Sequence, residues 1–205
     1  MTGWYTRRMV PHIVRIGCGC AALGPLRERI ICKARGRVLD IGFGAGANLG
    51  YYDRDKLSEL VGVEPSEQLR AIAKAAAKKL EFPITLHEAA AERLPFADGS
   101  FDTVVSSFTL CSVEDPGCCL KEIKRVLKPD GRLLFCEHGL APDPAVSKWQ
   151  RRVEPWWTPV FGGCRLTRPV RGNIEAIFKL AEWNGTYQNG RRSLAGWMEW
   201  GEACP

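Results

Sequence analysis

The chain has 205 residues and a formal net charge of +6; 45% of its residues are hydrophobic and 25% are charged. A chain of this length and composition buries a substantial core without disulfides or metal ions, so we expect a single globular domain over residues 1–205. Its lysines and arginines are scattered, which argues against nucleic acid as a partner but leaves an acidic substrate or an anionic membrane surface open.

Residues 1–34 are predicted to form one or two helices. Arg15 interrupts an apolar run that is already too short to cross a bilayer, so we expect no transmembrane span. This N-terminal segment, residues 1–34, then either covers one face of a sheet or closes over a ligand. Trp4 and Tyr5 beside Arg7 and Arg8 also leave an interfacial membrane helix, and hence peripheral membrane contact, open.

The most informative stretch is 36–48, an apolar run that breaks into glycines at alternate positions. It predicts a buried strand, a glycine turn and a helix beginning just after, the arrangement with which open α/β sheets bind nucleotide-like ligands. Asp40, at the strand end, would repel a pyrophosphate but attract an ammonium or sulfonium group. The predicted ligand contacts here are Asp40, Gly42, Gly44, Gly46 and Asn48.

A second carboxylate, Glu64, closes the next predicted strand, which covers residues 58–63. An acidic residue at this point accepts hydrogen bonds from a ribose diol. Pro65 follows, and Ser66 is a predicted N-cap for a helix that runs to Leu80. Without Glu64 the glycine stretch would fit a mere tight loop as well as a ligand site, and a nicotinamide dinucleotide fits it poorly.

The later segments continue the alternation of strands and helices. We expect a helix from Asp115 to Leu127 with a turn at 128–131, and a helix over residues 170–181. Residues 139–168 lose helical periodicity and are rich in tryptophan, arginine, proline and paired glycines, which predicts an irregular folded cap. The predicted strands are 83–87, 100–108 and 132–138, followed by an antiparallel hairpin of 186–188 and 196–203.

Nine cysteines are present, and an odd number without a secretory signal argues against a disulfide framework. We therefore expect a reducing, cytoplasmic setting. Cys18-Gly19-Cys20 and Cys118-Cys119 are too closely spaced for the usual zinc pairs, and no further pair completes a ligand set, so no metal is expected. Most of these thiols are predicted to be small buried side chains.

Three blocks, residues 35–42, 91–102 and 125–131, resemble the class I S-adenosylmethionine-dependent methyltransferases of methyltransferase type 11. Residues 109–113, 137–138 and 162–168 more narrowly resemble small bacterial relatives of the methyltransferase-like 7 thiol methyltransferases. The resemblance implies an α/β, Rossmann-like fold with a mostly parallel seven-stranded sheet, an antiparallel final strand and helices on both faces. It also implies S-adenosyl-L-methionine as cofactor and S-adenosyl-L-homocysteine as product.

The same resemblance extends the cofactor contacts beyond the two carboxylates. Ala90 stands where family members usually carry an acidic residue that receives the adenine amino group. Either Ala91 and Glu92 supply backbone or side-chain contacts instead, or the cofactor affinity is lower than in the family. The full set of implied contacts is Asp40, Gly42, Gly44, Gly46, Asn48, Glu64, Pro65, Ala91, Glu92, Ser107 and Phe108.

The methyl acceptor is expected beyond the ends of the fourth and fifth strands. Glu137 and His138 are the candidate catalytic pair there, able to orient an acceptor or take its proton, although Glu137 could instead pair with an arginine. Cys111 is either an acceptor-side thiol or a packing residue. The candidate substrate contacts are Tyr5 and His12 in a helical lid over 1–34, Cys111, and Trp149 and Trp157 in an acceptor-side insertion over 139–168.

The aromatic cap and the few acid-base groups favour a soft, hydrophobic nucleophile. A thiol has an unperturbed pKa of about 8.5 and needs only modest help to ionise, whereas an amine must lose a proton before attack. Methyl transfer to a small-molecule thiol is therefore the leading hypothesis. The alternatives are an amine, a phenol or a phospholipid head group as acceptor, and a non-catalytic cofactor-binding module.

Overall fold

The computed structural model describes residues 20–205 together with Met9, His12, Ile13 and Gly17. Seven strands form one sheet in the order β3-β2-β1-β4-β5-β7-β6, and β7 runs antiparallel to both of its neighbours while the other pairs are parallel. The predicted sheet is thereby confirmed. The strands are β1 Gly36–Ile41, β2 Leu57–Val63, β3 Thr85–His87, β4 Phe101–Ser107, β5 Leu127–His138, β6 Lys179–Tyr187 and β7 Trp197–Cys204.

Side chains at three helix starts accept hydrogen bonds from backbone N–H groups that the helix leaves unpaired. Ser66 does so for Leu69, as predicted, and Asp115 and Asp143 cap the two helices that follow them. Among the helices of the described residues, none is long and apolar enough to cross a membrane. The α-helices are α1 Gly24–Ile31, α2 Glu67–Lys79, α3 Pro116–Val126, α4 Pro144–Val160 and α5 Val170–Glu175.

The central strands are apolar on both faces, and alternate residues pack into separate layers. Leu39 and Ile41 lie in one buried cluster with residues of α3 and α5, whereas Val38 lies in the other with residues of α1 and α2. The sheet is therefore covered by helices on both sides. This burial fixes the carboxyl ends of β1, β2, β4 and β5 at one edge, where the polar residues of the predicted site are found.

The prediction of a helix directly after the glycine loop was wrong. The first crossover contains only two 3₁₀ turns, Leu49–Tyr51 and Arg54–Lys56. Three glycines with positive φ keep the chain irregular up to residue 46, and only ten residues then remain before β2 begins. That length leaves little room for an α-helix and a return to the sheet.

The insertion after β5 also differs from the prediction, because residues 139–168 contain the 17-residue helix α4 rather than an irregular cap. Asp143 caps this helix and Pro144 occupies its first turn, where a missing N–H costs little. The internal prolines Pro155 and Pro159 broke the sequence pattern, yet both lie on the exposed side of the helix.

Two other boundaries differ from the sequence prediction. The helix expected over 170–181 ends at Glu175, since the chain turns to bury Phe178 and then begins β6 at Lys179. Residues 128–131, predicted as a turn, belong to β5 as an irregularity in its pairing with β4. Neither change moves the ends of β4 and β5.

Candidate active site

The loop after β1 lies directly against the loop after β4. Gly42, Gly44 and Gly46 all have positive φ, a conformation that side-chain-bearing residues rarely adopt. A Cβ at Gly42 would stand 2.2 Å from Thr109 Oγ1, and this hydroxyl donates a hydrogen bond to the Ile41 carbonyl at 2.9 Å. Glycine is required at position 42 by both its backbone angle and the space available.

Asp40 carries a buried carboxylate that is only half satisfied. Its Oδ2 accepts hydrogen bonds from Asn48 Nδ2 at 2.9 Å and from the Tyr52 hydroxyl at 2.8 Å, and Arg27 Nε donates to Asn48 Oδ1 at 3.0 Å. Its Oδ1 is buried and has no hydrogen-bond partner among the described residues. Burial raises the pKa of Asp40 to about 6, although the hydrogen bonds oppose this shift.

Glu64, the second carboxylate, ties the glycine loop to the start of α2. Its Oε2 accepts a hydrogen bond from Gly44 N at 3.0 Å, and its Oε1 accepts one from Ser66 N at 2.9 Å. Burial raises the pKa of Glu64 above its ordinary value. Pro65, next in the chain, is exposed. The two predicted carboxylates thus lie at the tips of the neighbouring strands β1 and β2.

The turn at residues 90–92 forms the next part of this edge. Ala91 is buried, whereas Ala90 is exposed. Glu92 Oε1 accepts a hydrogen bond from Glu114 N at 2.9 Å, which holds this turn against the chain that follows β4. Residue 90 is thus an exposed alanine, which places no carboxylate at this point of the edge.

Ser107 and Phe108 end β4 beside the glycine loop. Phe108 has a φ of 58°, and the guanidinium of Arg27 lies 4.9 Å from the centre of its ring. Its ring is also 5.1 Å from that of His138, which places Phe108 between the β1 side and the β5 side of the site. The Ser107 hydroxyl is buried and, within the described chain, makes no hydrogen bond.

Glu137 is fully buried beneath the loop after β4. It accepts hydrogen bonds from Ser106 Oγ at 2.6 Å, Thr109 N at 3.0 Å and Cys111 N at 3.2 Å. Burial raises its pKa. The Ser106 hydroxyl and two backbone N–H groups therefore satisfy this carboxylate. The carboxylate is directed at backbone N–H groups rather than at open space.

His138 lies in a cluster with two cysteines that are distant from it and from each other in sequence. The sulfurs of Cys111 and Cys164 and a His138 ring nitrogen all lie within 4.8 Å of one another, and Cys164 Sγ is 3.8 Å from His138 Nδ1. Both cysteines are buried and His138 is half-buried. The hydrogen bond from Cys111 lowers the pKa of Cys164, with a further contribution from His138, and the same contact raises that of Cys111.

Cys164 was not among the predicted site residues. Its only signal in the sequence was its place in the block 162–168. Gly163, with a φ of 89°, precedes it, and Arg165 N donates to the Cys111 carbonyl at 2.9 Å, which brings the segment after α4 to the loop after β4. Spacing rules for metal-ligating cysteines miss such a group because its members come from three separate segments.

The two predicted tryptophans occupy different environments. Trp149 is 54% exposed, with the guanidinium of Arg152 5.3 Å from its ring centre. Trp157 stacks on Phe161 at 3.7 Å, and its indole also contributes to the lowered pKa of the neighbouring Cys164 thiol. His12 is helical and exposed, and Tyr5 lies outside the described residues.

Comparisons with known proteins match this chain to methyltransferases. A family profile described as a methyltransferase domain matches residues 39–135. Thiol S-methyltransferase TMT1B of Rattus norvegicus is 35% identical over 140 residues, which cover 67% of this chain and 57% of that protein. Thiol S-methyltransferase TMT1A of Homo sapiens is 34% identical over 64% of this chain and 54% of its own. The chain therefore spans a little over half the length of these curated relatives.

Solved structures give the same comparison at the level of the fold. The YcgJ protein of Bacillus subtilis is 25% identical, with a TM-score of 0.62 over 80% of this chain and 71% of that chain. A putative methyltransferase from Bacillus halodurans C-125 is 16% identical, with a TM-score of 0.73 over 89% of this chain and 97% of its own, and shows the fold alone.

Proposed function

The chain belongs to the class I S-adenosylmethionine-dependent methyltransferases, and we propose that it transfers the cofactor's methyl group to the sulfur of a small-molecule thiol. The observation that carries the methyl-transfer part is the buried Asp40 carboxylate, whose Oδ1 has no partner among the described residues. A buried unpaired acceptor of this kind is costly unless a ligand satisfies it. The cationic amino group of S-adenosylmethionine supplies such a donor.

The cofactor is S-adenosylmethionine, and the residues at the strand tips suit it. We assign Asp40 to its amino group and Glu64 to its ribose diol; Glu64 would exchange at least one of its backbone hydrogen bonds for the ribose. Asn48 holds Asp40 in place. The remaining proposed contacts are Gly42, Gly44, Gly46, Pro65, Ala91, Glu92, Ser107 and Phe108.

When bound, the cofactor supplies a methyl group that is already activated on a sulfonium sulfur. The protein then has to exclude water and align the acceptor. We assign Glu137 to positioning, because its carboxylate holds the backbone of Thr109 and Cys111. His138 and Cys111 border the acceptor, on the far side of Phe108 from the glycine loop.

The acid-base groups on this side favour a thiol acceptor. Glu137 is the carboxylate at the tip of β5, and it is fully buried and hydrogen-bonded, so it is badly placed to remove a proton from an amine. A thiol is deprotonated far more easily. Two relatives named as thiol S-methyltransferases, each about a third identical in sequence, support the same acceptor.

The acceptor is enclosed, on this proposal, by the leader 1–34 and the insertion 139–168, as parts of one domain over residues 1–205. Trp157 contributes the inner wall of the insertion, since it stacks on Phe161 close to the Cys164 segment. Trp149 would contact an acceptor only at the outer rim, because it is 54% exposed. Tyr5 and His12 are proposed lid residues.

A phospholipid head group is the second candidate acceptor. Along α4, Trp149, Trp156 and Val160 are exposed at helical spacing, and Arg151 and Arg152 lie between them. Exposed tryptophans with neighbouring basic residues are typical of helices that lie at a membrane surface. Methylation of anionic vesicles, rather than of free thiols, would favour this reading.

The test is to incubate the purified protein with S-adenosylmethionine and a panel of thiols, amines and phenols, together with phospholipid vesicles. Formation of S-adenosylhomocysteine and of the methylated product is followed by mass spectrometry. We expect turnover with hydrophobic thiols and none with the Asp40→Asn variant. Turnover of an amine or a lipid with no thiol methylated would overturn the thiol assignment, and cofactor binding without any turnover would favour a non-catalytic module.

A further inference from the structure

The cluster of Cys111, His138 and Cys164 has the composition and spacing of a metal site. Zinc binds cysteine sulfur at about 2.3 Å and histidine nitrogen at about 2.0 Å, so two ligands of one tetrahedral ion stand roughly 3.6–3.8 Å apart. Cys164 Sγ and His138 Nδ1 are 3.8 Å apart, and all three ligand atoms lie within 4.8 Å of one another. Shifts of about an ångström or less would bring the set onto one ion.

We propose that Cys111, His138 and Cys164 bind a zinc ion at the acceptor side of the site. Two thiolates and a neutral imidazole cancel the charge of a divalent cation, which allows the ion to sit among buried groups. Thiolate ligands also select a thiophilic metal such as zinc over magnesium or calcium, which prefer oxygen.

The backbone around the two cysteines is held in place by contacts that do not involve a metal. Cys111 N donates to Glu137 Oε2 at 3.2 Å, and the Cys111 carbonyl accepts from Arg165 N at 2.9 Å. The Cys164 carbonyl accepts from Thr158 Oγ1 at 3.2 Å. Supporting contacts of this kind orient ligands and raise metal affinity.

Within residues 20–205, the other cysteines lack these surroundings. Among the residues that the structure describes, Cys111, His138 and Cys164 are the potential metal ligands whose ligand atoms lie within 4.8 Å of one another. Cys118 is exposed on α3 and serves as the control, because a serine there keeps a donor for the side-chain hydrogen bond to Asp115. The cluster also lies where the proposed acceptor would bind, next to Phe108 through His138.

Three protein ligands leave one position of a tetrahedral ion open, as in catalytic zinc sites. We infer, and this step rests on the proposed function, that the acceptor thiol occupies it. The thiol loses its proton to water as its sulfur coordinates the ion. A sulfur lone pair then forms the new S–C bond while the methyl–sulfonium bond breaks, which leaves S-adenosylhomocysteine and the thioether.

Cobalt substitution tests the site independently of activity. Chelator-treated wild-type protein is titrated with Co²⁺, and we expect thiolate-to-cobalt charge-transfer bands that saturate at one equivalent and are abolished by added Zn²⁺. Cys118→Ser should titrate like wild type, whereas Cys164→Ser and Cys111→Ser should bind at least tenfold more weakly. Wild-type protein without these bands, or a Cys164→Ser variant indistinguishable from Cys118→Ser, would overturn the site.

A folding defect is separated from loss of a ligand by measuring S-adenosylmethionine binding and circular dichroism for each variant. Should Cys164→Ser fail to fold, the wild-type cobalt spectrum and His138→Gln decide the matter. Zinc removal should lower thiol methylation at least tenfold and zinc addition should restore it; equal turnover in both forms overturns the acceptor step. Metal binding with no thiol methylated instead contradicts the proposed function and leaves the site standing.

Discussion

The Tyr52 hydroxyl donates a 2.8 Å hydrogen bond to Asp40 Oδ2, while Oδ1 of the same carboxylate is buried without a partner among the described residues. One oxygen is therefore fixed by the fold and the other is left for a ligand. The unsatisfied oxygen destabilises the ligand-free protein, and binding of a cation relieves that cost. Asp40 thus lowers the stability of the ligand-free protein while providing the oxygen that the ligand needs.

The first prediction concerns Asp40→Asn. Burial raises the pKa of Asp40 from 3.8 to about 6, so ionising this carboxyl costs on the order of 3 kcal/mol more in the folded than in the unfolded state. The variant should be more stable than wild type by about 1–2 kcal/mol at pH 8, because the unpaired amide donor offsets part of the gain. Denaturant unfolding measures this, with the exposed residue change Asp130→Asn as control.

The size of this effect depends on pH. The folded-state pKa of Asp40 lies above the unfolded value, so wild-type protein loses stability relative to the variant as pH rises from about 4 to about 6. The advantage of Asp40→Asn should therefore be absent below pH 4 and constant above pH 7. An advantage that grows toward acid pH would contradict the assignment.

Cofactor affinity should rise with pH through the same carboxylate. The protonated Asp40 side chain, which predominates below pH 6, does not attract the cationic amino group, whereas the ionised form does. We expect the Kd for S-adenosylmethionine to increase by up to about tenfold for each pH unit below pH 6 and to be constant above pH 7. Calorimetry in buffers of different ionisation enthalpy should also detect proton release on binding near pH 6.

Tyr52→Phe should raise the pH at which the cofactor affinity begins to fall. The change removes one of the two hydrogen bonds that stabilise the ionised Asp40, so the pKa of the carboxyl should rise further. Stability should fall by about 1 kcal/mol at acid pH, the ordinary value of a lost hydrogen bond, and by more above pH 7, where the Asp40 carboxylate is ionised. A pH profile of cofactor binding identical to that of wild type would show that Tyr52 does not act through Asp40.

Gly42→Ala should disrupt the contact between the loops after β1 and β4. The new Cβ would lie 2.2 Å from Thr109 Oγ1, in addition to the strain of a φ of 63°. Gly99→Ala is the matched control, since Gly99 has a φ of 60° and no atom within 4 Å of an added Cβ. Both variants should lose roughly 1–2 kcal/mol to the backbone angle, and Gly42→Ala alone should also lose cofactor affinity.

Glu137→Gln tests whether the buried carboxylate positions the loop. The substitution replaces one acceptor oxygen by an NH2 group, which is a donor. This donor would face the backbone N–H donors of Thr109 and Cys111, and the mismatch should cost about 2–3 kcal/mol of stability. We expect kcat to fall while cofactor affinity changes little. A loss confined to one limb of the pH-rate profile would instead assign Glu137 to proton transfer.

Much of the fold was predictable because the apolar runs of β1, β2, β4 and β5 are continuous and are separated by clear turn and cap residues. Asp40 and Glu64 could be placed at neighbouring strand tips on the same grounds. The helix α4 could not be predicted, because Pro155 and Pro159 interrupt the helical pattern of its sequence. Both prolines lie on its exposed face, where the helix tolerates them. Cys164 was missed because its neighbours come together only through the tertiary fold.

The proposed function requires that the two carboxylates, Asp40 and Glu64, bind a cationic nucleoside. The most direct test is the calorimetric Kd for S-adenosylmethionine of wild-type protein and of the Asp40→Asn, Glu64→Gln double variant. Loss of two charge-assisted contacts predicts an affinity at least about a hundredfold weaker in a variant that remains folded. An unchanged Kd would contradict the account.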